Sequence, residues 1–288
     1  MSNSDELGHS GIANLTGARI RYRDTGSGPP IVFVHGLLVN ADLWRHIVPR
    51  VAAAGYRCLA PDWPLGSHSI PVPDANLTPE GVADLIAEFL ENLELTDVTI
   101  VANDTGGAIT QVLLTRHPER IGRVVLAAVD SYESFLPQPF TLLPQLARVP
   151  GSVRLMTELL RIRAVQRLPI ALGWLSKRPV PPATVDSFFR PSRESAAIRD
   201  DLRRFLLHAH RRYTLDAATR FAAVTVPVLA VWAREDKLFP VSFAERLVRD
   251  LPNATLDLVD DSYTLIPEDQ PELLAERILE FTRLHATP

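Results

Sequence analysis

Asp104 is the residue of this chain whose surroundings point most directly to chemistry. It ends the short apolar segment 98–103 and is followed at once by Thr105-Gly106-Gly107. Small residues at this spacing let a strand turn sharply into a helix, and the strained turn pushes the side chain between them out over the sheet edge. A carboxylate held there, at a helix N-terminus that favours negative charge, can act as a nucleophile or exchange a proton with a bound molecule.

The elements that must position Asp104 alternate between strand and helix patterns. Apolar runs predict strands at 18–23, 30–36, 56–61, 98–103, 123–129, 226–232 and 254–259. Amphipathic or capped segments predict helices at 42–54, 79–93, from about 106 onward, at 243–250 and at 271–284. Strands that alternate with helices predict an α/β fold with a mostly parallel sheet and helices on both of its faces.

A different kind of sequence separates the strand at 123–129 from the strand at 226–232. Residues 132–220 contain no strand-like run, and nine prolines punctuate amphipathic helices there. We therefore predict a core domain, residues 1–131 and 221–288, and an inserted helical cap, residues 132–220. The cap is expected over the carboxyl ends of the strands, where ligands bind in open α/β sheets. Its richness in apolar side chains favours a small apolar ligand.

Composition and charge narrow the expected partners. The net charge of −4 disfavours a nucleic-acid partner, and the single cysteine, Cys58, excludes an internal disulfide. No run approaches the ~18 apolar residues of a membrane helix, and the polar, acidic segment Met1–Glu6 is unlike a signal peptide. We expect a cytoplasmic monomer or homodimer without membrane contact. No metal-ligand cluster or phosphate-binding glycine loop is visible, so neither a metal nor a cofactor is expected.

Several motifs follow one another in a characteristic order. They are His35-Gly36, Ala60-Pro61-Asp62, the Asp104 turn, His117-Pro118-Glu119-Arg120, Trp232–Asp236 and Pro267–Glu272. On these motifs the chain, from about residue 19 to 284, resembles α/β-hydrolases of the haloalkane dehalogenase and epoxide hydrolase branch. The resemblance implies that Asp104 attacks an electrophilic carbon and forms an ester, which histidine-activated water then hydrolyses. It also implies an oxyanion hole built from the N–H groups of Leu37 and Thr105, and Asp236 as the acid that orients the histidine.

The chain departs from this family at the histidine itself. When the sequences are aligned on Pro267, Thr264 takes the histidine position, and no histidine lies between His210 and His285. Threonine cannot act as a general base near neutral pH because it does not titrate there. The loss of a general base typically costs ~10²–10⁴ in rate.

Three hypotheses stay open at this point. Asp104 and Asp236 could form an acid–base pair for non-hydrolytic chemistry such as ring opening, elimination or isomerisation. A histidine of the cap, His208 or His210, could supply the missing base. Alternatively, the chain could be a catalytically inactive receptor for a small molecule.

Six side chains are candidates for substrate contact: His35, Trp63, Tyr132, Tyr213, His208 and Tyr263. The resemblance suggests Tyr132 and Tyr213, at the two ends of the cap, because epoxide hydrolases polarise the epoxide oxygen with cap tyrosines. His35 is also expected to hold the loop behind the oxyanion hole. Dehalogenation is disfavoured, because Thr105 stands where dehalogenases of this branch carry a halide-binding tryptophan. Epoxide or ester hydrolysis is therefore the activity that the resemblance implies.

Overall fold

The computed structural model describes residues 5–286 of the chain. The prediction about the N-terminal segment falls largely on Met1–Ser4, which lie outside the described residues. The strands are β1 (His9–Leu15), β2 (Ala18–Thr25), β3 (Pro30–Val34), β4 (Arg57–Pro61), β5 (Val98–Asp104), β6 (Ile121–Val129), β7 (Val228–Ala233) and β8 (Ala254–Val259).

The α-helices are interleaved with these strands. They are α1 (Val48–Ala53), α2 (Pro79–Asn92), α3 (Thr105–Arg116), α4 (Leu143–Leu146), α5 (Ser152–Leu159), α6 (Arg163–Gln166), α7 (Pro182–Glu194), α8 (Ala196–His208), α9 (Arg212–Ala218), α10 (Val241–Asp250), α11 (Ile266–Asp269) and α12 (Pro271–Leu284). Short 3-10 helices occur at Asp5–Leu7, Ala41–Trp44, Phe140–Leu142 and Phe221–Ala223.

The strands form one sheet in the order β1-β2-β4-β3-β5-β6-β7-β8. β2 pairs antiparallel with both β1 and β4, and every pair from β4 to β8 is parallel. The central strands β3, β5, β6 and β7 are buried along almost their whole length, as expected where helices cover both faces. The predicted α/β fold with a mostly parallel sheet is confirmed.

Some local predictions were wrong in detail. The single helix predicted at 42–54 is a 3-10 turn followed by the separate helix α1, which begins one residue before Pro49. Proline is favoured in the first turn of a helix and unfavourable further inside, so it marks a new start. The edge strand β1 was missed because its sequence, HSGIANL, is mostly exposed and lacks an apolar run.

Between β6 and β7 the described chain contains helices α4 to α9 and no strand. We call residues 132–220 the helical insertion. Its last helix, α9, packs against α3 of the sheet layer, so the insertion returns to the core before residue 220. Asp269 links the two parts, because its carboxylate accepts the N–H groups of Lys177 and Arg178 from the insertion and that of Tyr263 from the core.

Candidate active site

Asp104 stands at the junction of β5 and α3 in a conformation that non-glycine residues rarely adopt. Its φ is 55° and its ψ −132°. The crossing of strand and helix is tight, because a Cβ atom at Gly107 would collide with the side chain of Val129 on β6. The small residues after Asp104 are therefore required by packing, and they keep its side chain at the carboxyl end of the sheet.

Two backbone N–H groups, those of Leu37 and Thr105, donate to the carboxylate of Asp104. The loop that carries Leu37 comes so close that a Cβ at Gly36 would overlap the Asp104 carboxylate. Burial raises the pKa of Asp104 to about 6, although both N–H donors act in the opposite direction. The carboxylate is thus desolvated and ionised at neutral pH, and the N–H groups of Leu37 and Thr105 fix its position.

A second buried carboxyl group, that of Asp130, belongs to the site and was not among the residues predicted from the sequence. Its Oδ2 accepts the hydroxyl of Thr105 at 3.0 Å, and its Oδ1 has no hydrogen-bond partner among the described residues. Burial, and then the negative charge of Asp104, raise the pKa of Asp130 well above its ordinary value. Because two adjacent buried carboxylates resist carrying charge together, Asp130 keeps its proton while Asp104 ionises.

One signal could have found Asp130. It follows directly after β6, which pairs with β5 in a parallel sheet, and the carboxyl ends of neighbouring parallel strands meet at one edge. Asn103 gave a similar signal, since it is a buried amide within an apolar strand. Its Nδ2 donates to the carbonyl oxygens of Ala127, at 2.6 Å, and Thr264, at 2.8 Å, so it ties the loop of Thr264 to the strand of Asp104.

Thr264 and Asp236 form a third polar contact at this end of the sheet. The Thr264 hydroxyl lies 2.9 and 3.1 Å from the two carboxylate oxygens of Asp236. The N–H groups of Leu238 and Phe239 donate to the same carboxylate at 2.8 and 2.9 Å. Burial raises the pKa of Asp236 to about 6, and the charge of Asp104 adds to the effect. The Thr264 hydroxyl donates its one proton in a hydrogen bond to Asp236, and its oxygen does not become protonated near neutral pH.

An apolar cavity opens above Asp104, with about 660 Å³ of empty space, part of it open to solvent. Its walls combine Leu37, Leu38 and Val39 of the core with side chains of the helical insertion, namely Leu136, Pro137, Phe140, Leu143, Met156, Leu160, Ile170, Ala171, Leu172, Leu175 and Phe189. The remaining lining residues are Asp104 and Thr105, and the hydroxyl of Thr105 is directed to Asp130. Asp104 is thus the one ionisable side chain that lines this cavity.

Comparison with known proteins agrees with the observed fold. The sequence pattern of the alpha/beta hydrolase fold matches residues 29–271. This chain belongs to the α/β-hydrolase fold family. Among its relatives, a 2-hydroxy-6-oxononadienedioate/2-hydroxy-6-oxononatrienedioate hydrolase of Cupriavidus pinatubonensis is 27% identical over 83% of this chain and 82% of its own length.

One further relative of this α/β-hydrolase and one solved structure of the same fold carry the name haloalkane dehalogenase. Haloalkane dehalogenase 2 of Mycobacterium bovis is 27% identical, with 91% of each chain aligned. The solved structure of the haloalkane dehalogenase DatA from Agrobacterium tumefaciens superimposes with a TM-score of 0.81 at 21% identity, over 98% of this chain and 99% of that one. At 21% identity the superposition shows a shared fold and carries no conclusion about activity.

All eight histidines of this α/β-hydrolase lie within the described residues, and none lines the cavity. His35 is buried, its Nε2 accepts the N–H of Trp63 at 2.8 Å, and its Nδ1 lies 2.9 Å from the carbonyl oxygen of Gly36. Burial lowers the pKa of His35 to about 4, so it stays neutral. His208 and His210 are exposed on the insertion, and the hypothesis that one of them supplies a base stays a prediction.

Trp63, Tyr132 and Tyr213 do not line this cavity, and their contact with a ligand stays a prediction. Trp63 is buried and donates its indole N–H to the carbonyl of Phe33. Tyr132 donates its hydroxyl to Asp250 at 2.9 Å, and the hydroxyl of Tyr213 accepts from Arg212 at 2.6 Å.

The ring of Tyr263 forms cation–π contacts with two exposed lysine side chains. The ammonium groups of Lys177 and Lys237 lie 6.0 and 5.3 Å from its centroid. Thr264, the next residue, points the other way, towards Asp236. Tyr263 does not line the cavity above Asp104, and its contact with a substrate stays a prediction.

No group of three or more histidine, cysteine, aspartate or glutamate side chains in residues 5–286 is arranged to hold a metal ion. Within the same residues, no helix combines the length and the apolar character needed to cross a membrane.

Proposed function

We propose that this α/β-hydrolase is an enzyme in which Asp104 acts as a nucleophile towards an electrophilic carbon of a small apolar molecule. The observation that carries the proposal is the position of Asp104. It is the single ionisable side chain lining an apolar cavity, and the N–H groups of Leu37 and Thr105 hold its carboxylate. One carboxylate oxygen would stay with these donors while the other forms the new C–O bond. The bond to the leaving group breaks with its electron pair.

The second step of the reaction distinguishes this chain from a complete hydrolase. Hydrolysis of the ester on Asp104 needs a base that takes a proton from water. Thr264 instead donates its proton to Asp236, and no histidine lines the cavity. We therefore propose that the ester is long-lived, and that any turnover is slow and uses a carboxylate such as Asp236 in place of imidazole.

The helical insertion, residues 132–220, is proposed to act as a cap that selects the substrate. It supplies eleven of the sixteen residues lining the cavity, and all eleven are apolar. A substrate without charge is expected, because a second anion beside Asp104 would be repelled and a polar group would lose its hydration without a partner. Epoxides, haloalkanes and activated esters all present an electrophilic carbon within such an apolar outline.

One observation favours a second candidate function. Thr105 bridges the Asp104 and Asp130 carboxyl groups, which differ in how firmly they hold a proton. A pair with one neutral and one charged carboxyl group suits proton transfer, as in an isomerisation or an elimination. In that case Asp104 would exchange protons with the substrate and would form no ester.

Intact-protein mass spectrometry separates these functions. The protein is incubated with a panel of epoxides, haloalkanes and activated esters while product release is followed. We expect an adduct that maps to Asp104 and little product, and no adduct in Asp104→Asn. Hydrolysis product without an adduct would contradict the long-lived ester, and an isomerisation or elimination product without an adduct would support the proton-transfer candidate. Binding of panel compounds that is equal in the wild type and Asp104→Asn, with no chemistry in either, would contradict both and support a receptor.

A further inference from the structure

The exposed apolar side chains of this protein are concentrated in one part of the helical insertion. Nine of the eleven exposed large hydrophobic residues among residues 5–286 lie between positions 142 and 174. We call these nine the apolar face: Leu142, Leu146, Val149, Leu155, Leu159, Ile162, Leu168, Ile170 and Trp174. Concentrated exposure of this kind marks a surface that meets another apolar phase or partner.

Four residues of the apolar face line a groove that borders the cavity above Asp104. Leu146, Leu155, Leu159 and Ile170 line a surface groove whose floor includes Leu143, Met156, Leu160 and Ala171. The last four, together with Ile170, also line the cavity above Asp104. The groove and the cavity therefore share one wall.

The same stretch carries a strong excess of positive charge. Between Glu133 and Asp186 there are seven basic residues and one acidic residue, Glu158, although the chain as a whole has a net charge of −4. The basic residues are Arg148, Arg154, Arg161, Arg163, Arg167, Lys177 and Arg178. Four of them, Arg148, Arg154, Arg163 and Arg167, are exposed and form no ion pair with any residue in the described part of the chain.

A basic concavity lies within this region. Arg163 and Arg167 line it together with Lys177 and Arg178, and no acidic side chain is among its lining residues. Lys177 and Arg178 already pair with acids of the core. Arg163 and Arg167 are exposed and form no ion pair with any described residue. Guanidinium groups bind phosphate oxygens in a forked geometry, so the concavity has the chemistry for an anionic headgroup.

We propose that the apolar face and its surrounding arginines dock this protein on the surface of a bilayer that contains anionic lipids. Leucine, isoleucine and tryptophan side chains would enter the boundary between headgroups and acyl chains while the arginines bind phosphate. A second copy of the chain fits this face less well, because a two-fold contact would set the same cationic patch against itself. The expectation of no membrane contact considered spanning segments only and is revised by this proposal.

Vesicle sedimentation with the full chain tests the proposal. The vesicles are phosphatidylcholine alone and phosphatidylcholine mixed with phosphatidylserine. We expect sedimentation with the mixed vesicles, weakened by added salt. Leu155→Ser with Leu159→Ser should weaken binding roughly 100-fold, because two apolar side chains no longer leave water. Arg163→Gln with Arg167→Gln should weaken it roughly 30-fold.

The matched control is Arg283→Gln with Leu284→Ser, an exposed arginine and leucine on the C-terminal helix α12, outside the helical insertion. This variant should bind the vesicles as the wild type does. Equal loss in the control, or no sedimentation with mixed vesicles, would overturn the proposal. A dimer that Leu155→Ser with Leu159→Ser dissociates, with no lipid binding, would assign the face to a second copy instead. Because the assay does not involve Asp104, it stands or falls independently of the proposed chemistry.

Discussion

Two pairs in which a side chain hydrogen-bonds an aspartate differ in the side chain that contacts the carboxylate. In the candidate site Asp236 accepts the hydroxyl of Thr264. Between the core and the helical insertion, His68 Nε2 lies 3.1 Å from Asp201 Oδ2, and both side chains are only 2% exposed. The imidazole–carboxylate pair that hydrolysis requires is thus present in the chain, but it lies outside the cavity that contains Asp104.

The surroundings explain the difference in role. Asp201 also accepts the N–H of Val72 and the guanidinium of Arg204, so it joins helix α8 to the loop that follows β4. The negative charge of Asp104 raises the pKa of Asp236. The hydrogen bonds of His68 and Asp201 within the described residues involve no second carboxylate. A histidine beside an aspartate is therefore evidence for catalysis only where the pair faces the reacting group.

The largest expected effect on reactivity comes from removing the carboxylate of Asp104, which lies near the Thr264–Asp236 pair. Asp104→Asn keeps the shape of the side chain but leaves an amide, which is a very poor nucleophile. We expect adduct formation to fall roughly 10⁴-fold or more. The rate of adduct formation with a reactive panel compound measures this effect. An Asp104→Asn protein that reacts as fast as the wild type would contradict the proposed role of Asp104.

The difference between the two pairs can be removed by placing an imidazole beside Asp236 at position 264. Thr264→His should donate one N–H to Asp236 and present its other nitrogen to water. We expect release of product from the Asp104 ester to accelerate by roughly 10²–10⁴. Thr264→Val, which removes the hydroxyl at nearly constant shape, is the control and should give no gain. If both variants release product at the wild-type rate, the second step is not limited by a missing base.

The second pair should matter for stability and not for chemistry. His68→Leu removes a buried hydrogen-bond donor from Asp201, so the free energy of unfolding should fall by about 1–3 kcal/mol. His208 is an exposed histidine at the C-terminal end of α8. His208→Leu should change the free energy of unfolding by less than about 0.5 kcal/mol. Urea denaturation measures both. Loss of Asp104 reactivity in a His68→Leu protein of unchanged stability would assign His68 a part in catalysis.

The smallest effect is the dependence of adduct formation on pH. Burial raises the pKa of Asp104 from the ordinary 3.8 to about 6. In the proposed reaction only the ionised carboxylate attacks the substrate. The rate should therefore level off above pH 6 and fall roughly tenfold for each pH unit below it. Because protonation relieves the buried charge, the wild type should gain stability as pH falls from about 6 towards 4, and Asp104→Asn should lack that gain. A rate that rises towards acid pH would favour the protonated carboxyl group as the reacting species.

Much of the fold could be predicted because its signals are local. The run 254–259 and the helix 271–284 match the observed elements residue for residue, since apolar period and capping residues act within one segment. The turn at Asp104 was predicted for the same reason, because glycines at fixed spacing are a short-range requirement. Strand β1 escaped prediction because it is held by its pairing with β2 rather than by its own sequence.

The sequence by itself determined the alternation of strands and helices, the carboxylate at the turn and the threonine at position 264. Only the tertiary structure decided which groups surround Asp104. Asn103 reaches Thr264 across 161 positions of the chain, and Asp130 meets Asp104 because two parallel strands end side by side. The direction of a side chain, as with His35, Tyr263 and His68, depends on packing against distant segments. Local patterns do not encode that packing, so these roles became visible only in the folded chain.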